Sequence, residues 1–118
     1  MIIGLKPNQI FVFGSNMAGK HMGGAARFAK EKFGAEEGIA EGLTGQCYAF
    51  PTLTGELEQR HHLALKESAK NLFNCVVENP EKEFLLTEVG CGIAGFSKFY
   101  MMQFFKDFPT NLIKPKGW

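Results

Sequence analysis

The sequence predicts one α/β domain, residues 1–118, with a mainly parallel sheet covered by helices on both faces in a compact three-layer α/β/α arrangement. Three observations carry that prediction. Short apolar runs rich in β-branched and aromatic residues recur along the chain, and such unbroken runs mark strands buried on both sides. Stretches with helical spacing of apolar residues separate them, which is the pattern of parallel strands joined by crossover helices. Two glycine-rich loops, Gly14 to Gly24 and Gly90 to Phe96, each follow an apolar run and lead into a helix. In parallel sheets ligands bind beyond the strand C-termini, where such loops lie.

Taken in order, Ile10 to Phe13 is the first strand, bounded by Asn8 and Gly14. From Gly23 to Phe33 the spacing predicts a helix with Ala26, Ala29 and Phe33 on one face and Gly34 as its C-terminal stop. Ala35 to Gln46 has no period and predicts an irregular excursion. Cys47 to Phe50 is a second strand ended by Pro51-Thr52. The longest helix follows, from about Leu57 to Glu78, with Leu65, Ala69, Leu72, Phe73 and Val76 as its apolar stripe and Asn79-Pro80 as its stop. Phe84 to Val89 is a third strand, Ser97 caps a helix running to about Phe108, and Asn111 to Lys114 is a last strand.

Composition narrows the function. The formal net charge is +1, with acidic and basic residues interspersed, so the chain lacks the electrostatic footprint of a dedicated nucleic-acid or membrane-surface binder. Small ligands held by backbone amides fit better, and 14 glycines supply the close backbone approach they need. The three cysteines are widely spaced and odd in number, which predicts reduced thiols and a cytoplasmic setting. No apolar run is long enough to span a bilayer, and MIIGLKPNQ has no secretory signature.

Gly14 to Lys20 spells the opening of a Walker A phosphate loop, but His21 stands where that motif needs a magnesium-binding hydroxyl. Glu88, after an apolar run, is placed like the acid of a Walker B strand; a strand-end acid is common, and the chain is short for a complete NTPase.

The same stretch resembles the macrodomain signature, in which a strand leads into N-A-A-N, a run of glycines and a helix opening V-A-x-A-I. Phe13-Gly14-Ser15-Asn16 falls on N-A-A-N, Gly23-Gly24 on the glycine run and Ala25-Ala26 on the V-A. Gly92-Ile93-Ala94-Gly95-Phe96 is similar to the family's G-I-F-G-Y/F diphosphate loop, and Gly45 to Ala49 to its T-G-x-A stretch. The likeness is closest to a small macrodomain-like group of phages and bacteria, through Phe11 to Ala26, Gly45 to Thr52 and Gly90 to Phe96.

The resemblance implies an ADP-ribose-type pocket, occupied by a small-molecule nucleotide or an ADP-ribosylated substrate. It implies Gly14, Ser15 and Asn16 on the ligand, with Asn16 near the distal ribose. Gly23 and Gly24, with Gly90, Cys91, Gly92, Ile93, Ala94 and Gly95, would surround the diphosphate, and Phe96 would pack on the ribose. It further implies ADP-ribosyl hydrolase or ADP-ribose phosphatase activity in some members, in which an Asp often follows the glycine run; the aligned residue here is Ala26. The acid that larger macrodomains place on the adenine has no counterpart in Met1 to Gln9.

His21 is the candidate replacement for the missing acid, as general base or ribose ligand, with Asn16 beside it; the alternative is a histidine that only shapes its loop. Lys20 is either a phosphate partner or a solvated loop lysine. Cys91, in the second glycine loop, is either a nucleophile or packing. His61 and His62 are adjacent and lack a third ligand, so no metal site and no cofactor is expected. Met101, Met102, Phe104, Phe105 and Phe108 crowd the last helix as core, or as a homodimer surface where they stay exposed. Two other functions remain: an interaction protein of a phage or mobile element that keeps the fold without catalysis, and an enzyme on another phosphorylated or nucleoside ligand.

Overall fold

A computed structural model describes residues 4–118. A five-stranded sheet has the order β2-β3-β1-β4-β5, where β1 is Gln9–Asn16, β2 Gly42–Thr44, β3 Cys47–Leu53, β4 Glu83–Leu86 and β5 Leu112–Ile113. All neighbours run parallel except β2, which is antiparallel to β3. Three helices accompany it: α1 Gly24–Phe33, α2 His62–Glu78 and α3 Lys98–Met102.

Alternation along the central strands sorts the core into two clusters. Ile10 and Val12 of β1 join Tyr48, Phe50 and Phe84 in a cluster with Leu65, Leu72 and Val76 of α2 and Met101 of α3. Phe11 and Phe13 join Cys47 and Ala49 in a second cluster with Ala26 and Ala29 of α1. Strands buried on both faces need apolar residues at every position, which is why β1 and β3 read as unbroken runs.

Both strands run further than their apolar runs. β1 continues through Gly14-Ser15-Asn16, paired with Phe50, Pro51 and Leu53. β3 passes through Pro51 because Phe11 N–H donates to the Gln46 carbonyl. Alternation then turns even-numbered residues of β3 toward β1 and Pro51 toward the outer edge. There β2 has already ended, its last partner being Ala49, so the missing N–H breaks no rung.

Four expected boundaries need correction. The excursion before β3 contains β2, a three-residue edge strand whose order comes from pairing rather than from its own pattern. α2 begins at His62, not near Leu57, because Thr54 to Gln59 folds back on β3: Thr54 N–H donates to the Glu58 carbonyl, and Leu53 bridges Gln59. β4 stops at Leu86, short of Val89: Thr87 N–H closes the last rung on the Val12 carbonyl, which its hydroxyl also reaches, and the backbone then turns, Val89 N–H donating to the Thr87 carbonyl. The last helix ends at Met102 and tightens into a 3-10 turn, Gln103–Phe105, which seats Phe105 against Phe50 at 5.4 Å between ring centroids. Of the residues weighed there as a homodimer surface, Met101 and Phe105 are buried in the core.

Among the described residues no helix is long and apolar enough to cross a membrane, and no group of three or more His, Cys, Asp or Glu could hold a metal ion.

Candidate functional site

The strand order fixes where a site can form. From β1 the chain leaves through α1 toward β3 on one side; from β4 it leaves through α3 toward β5 on the other. Two adjacent parallel strands whose connections diverge leave a crevice between their C-terminal ends. A cavity of about 610 Å³ occupies that crevice, within the size range of small-molecule sites. Its base is Gly14, Ser15 and Asn16 of β1 with Thr52 and Leu53 of β3. One wall is Gly23 to Ala26 at the start of α1; the other is Thr87 to Ala94 after β4. At Gly14 the base meets the second wall, since a Cβ there would lie 3.5 Å from the backbone nitrogen of Gly90.

The walls present backbone N–H groups. Gly23 caps α1 without a side-chain hydrogen bond, and no acid stands in the first turn. The first bond of the helix runs from Arg27 N–H to the Gly23 carbonyl, which leaves the N–H groups of Gly24, Ala25 and Ala26 without a partner among the described residues. In the second loop the amides of Cys91, Gly95 and Phe96 donate to Glu88, Gly92 and Gly90. Those of Gly92, Ile93 and Ala94 have no such partner. Two sets of open donors, one at a helix N-terminus, therefore line one cavity, and such donors stabilise an anion without cationic side chains. The charged side chains on the cavity are Lys20 and Glu88, of opposite sign.

The first loop is held by its side chains, and this changes the roles expected of three of them. Asn16 Oδ1 accepts from Lys20 N–H at 3.2 Å, and its Nδ2 donates to the Lys20 carbonyl at 2.9 Å. Asn16 lines the cavity but spends its amide on the turn. The Ser15 hydroxyl donates to the Ala40 carbonyl.

His21 does not line the cavity at all. It is buried, 2% exposed, edge-on to Phe13 at 5.2 Å, with Nε2 at 2.9 Å from the Glu36 carbonyl. Its backbone N–H donates to Glu37 Oε1 at 2.9 Å. Of the two roles weighed for His21, shaping the loop is the one its surroundings support: an imidazole bonded to a carbonyl and packed on a phenyl ring does not reach a ligand in the crevice.

Phe96 and Gly95 also fall outside the lining. The Phe96 ring stacks on Tyr100 at 5.2 Å and 14°, which covers one of its faces. Cys91 lines the cavity, but burial and the neighbouring Glu88 push its thiol above the usual cysteine range. The nucleophilic thiolate is thereby disfavoured.

Sequence reasoning singled out neither Thr87 nor Leu57 for this cavity. Thr87 falls inside the strand expected over Phe84 to Val89, and the early end of β4 at Leu86 is what brings it to the cavity. Leu57 arrives through the turn after β3, where it holds a left-handed backbone conformation, φ 64°, and remains 61% exposed at the cavity mouth. Met22 and Ile93, 76% and 85% exposed, share that rim.

Comparison of the chain with family models, curated proteins and solved structures gives no match.

Proposed function

We propose that the crevice binds ADP-ribose or a related nucleotide diphosphate, on a three-layer scaffold of macrodomain-like architecture. The observation that carries this reading is the pair of open amide sets, Gly24 to Ala26 and Gly92 to Ala94, on the walls of a single cavity. Two sets suit two phosphates, and the near-neutral side-chain lining leaves the anion to the backbone. Binding is favoured over turnover. Asn16 and His21 are committed to the loop, Ala26 brings no acid and Cys91 is held as a thiol. ADP-ribosyl hydrolysis or dephosphorylation would have to run on Glu88 or Lys20, the ionisable side chains left on the cavity.

Isothermal titration with ADP-ribose tests the proposal through a pair of variants. Ile93 stands second in the turn closed by Gly95 N–H on the Gly92 carbonyl, a position that accepts proline. Ile93→Pro removes one open amide, whereas Ile93→Ala removes only the side chain. Loss of one hydrogen bond to a charged group is worth about 1.5–3 kcal/mol, so the proline variant should bind at least about tenfold more weakly than the alanine variant. No heat at millimolar ADP-ribose from folded protein would overturn the reading. The exposed apolar rim of Met22, Leu57 and Ile93 would then favour a non-enzymatic interaction protein.

A further inference from the structure

A second hollow lies on another part of the molecule, between α2 and the segment after α3. It is a groove of about 370 Å³ that shares no lining residue with the glycine-loop cavity. From α2 it takes His62, Lys66, Ala69, Lys70 and Phe73, whose spacing of four, three, one and three residues traces one helical face about 16 Å long. The other side is Gln103 to Phe108, without Phe105. Its interior is aromatic: His62 lies 5.2 Å from Phe104 and Phe73 lies 5.3 Å from Phe108, between ring centroids.

The charges around this interior are unbalanced. Lys66 and Lys70 stand one turn apart on α2, a like-charge spacing that works against the helix, and Lys106 stands across the groove from them. Ion pairs among the described residues are Arg27–Glu31 and Lys30–Glu37, so none of the three lysines has a carboxylate partner. Among the described residues Asp107 is the one acid on the groove. Lys114 brings a further ammonium group close, its Nζ donating to the Lys106 carbonyl at 3.5 Å.

We propose that this groove docks an acidic amphipathic helix of a partner protein. Ammonium groups on both sides of an apolar floor complement a helix whose apolar stripe is flanked on both sides by carboxylates. A single nucleic-acid strand carries its phosphates to one side of its bases and would use only one of the two lysine walls. The proposal stands whether or not the other cavity takes a nucleotide.

Fluorescence anisotropy with a labelled synthetic helix about 12 residues long, the length of the groove, tests it. The probe has leucine at i, i+3, i+4 and i+7 flanked by glutamate; a twin carries lysine for glutamate, and oligothymidine serves as the nucleic-acid arm. The acidic helix should bind at least about tenfold more tightly than its basic twin, with affinity that falls as salt rises. The double variant Lys66→Glu, Lys70→Glu should invert that preference while its urea midpoint stays near that of the parent, both side chains being exposed. Equal binding of the two helices would overturn the proposal, as would an unchanged preference in the double variant. So would tighter binding of oligothymidine, or no binding of the acidic helix at millimolar concentration.

Discussion

The two loops that wall the crevice are built by different means. The loop from Asn16 to Gly24 is held by side chains and close packing: Asn16 clasps Lys20, His21 is clamped between Phe13, Glu36 and Glu37, and Gly19 packs directly on Gly38. The loop from Thr87 to Phe96 is shaped mainly by its own backbone, through short turns that close on Thr87, Glu88, Gly90 and Gly92, and is tied to its neighbours by the Thr87 hydroxyl on the Val12 carbonyl and Gln59 Nε2 on the Ala94 carbonyl. Glycine supplies both loops, yet only in the first does a buried side-chain network decide the shape. Asn16 and His21 are therefore part of the frame of the first loop, and amides without a partner are what both walls have in common.

Among glycine-to-alanine changes, the widest difference is expected between Gly19 of the first loop and Gly92 of the second. At Gly19, φ is +69° and a Cβ would come within 2.6 Å of the Gly38 carbonyl carbon. Neither backbone can yield cheaply, so Gly19→Ala should cost about 3 kcal/mol or more in urea denaturation. At Gly92 nothing lies within 4 Å of such a Cβ, and Gly92→Ala should stay within about 0.5 kcal/mol of the parent. Equal losses at the two sites would erase the contrast.

A smaller effect sharpens it. Asn16→Ala deletes both hydrogen bonds to Lys20 and should lower stability by about 1–2 kcal/mol. Any loss of ADP-ribose affinity should then be recovered by a variant that restores the turn without restoring the amide group. Retained stability in Asn16→Ala would free Asn16 for direct ligand contact.

The smallest effect is pH-dependent. The His21 backbone N–H, then Lys30, hold the Glu37 carboxyl below its ordinary value of 4.5. A group whose folded pKa is depressed contributes stability that is present above 4.5 and lost as pH falls through the folded value. Urea midpoints should therefore drop through that acidic range, and Glu37→Gln should show the shallower slope. Glu37 is exposed to solvent, so the difference should be slight.

Much of the scaffold was legible. Ile10 to Phe13 and Cys47 to Phe50 announce buried strands, and Leu65 to Val76 announces α2, because burial on both faces of a sheet or one face of a helix leaves a periodic trace. β2 left none: Gly42-Leu43-Thr44 is ordered by its partner strand. The early end of α3 was equally silent, since the bend answers the demand of Phe105 for the core. At the candidate site, Gly23, Gly24 and Gly90 to Ala94 line the cavity, whereas Gly95 and Phe96 do not. For His21 the sequence leaves a chemical and a loop-shaping role open, because its burial depends on Glu36 and Glu37, more than a dozen residues away. Leu57 could not be found from sequence, since only the folded turn brings it to the rim.

The place of β1 in the sheet bears on how the chain reaches this structure. β1 is made first yet sits in the middle, with β3 and β4 beside it, and Gln9 must find Glu83, 74 residues later. During synthesis, Phe11 and Phe13 have no complete sheet to enter until β4 has emerged. Pairing at such sequence distance makes folding slow and leaves an adhesive strand exposed meanwhile. The segment that founds the crevice is thus also the one most in need of protection before the crevice exists.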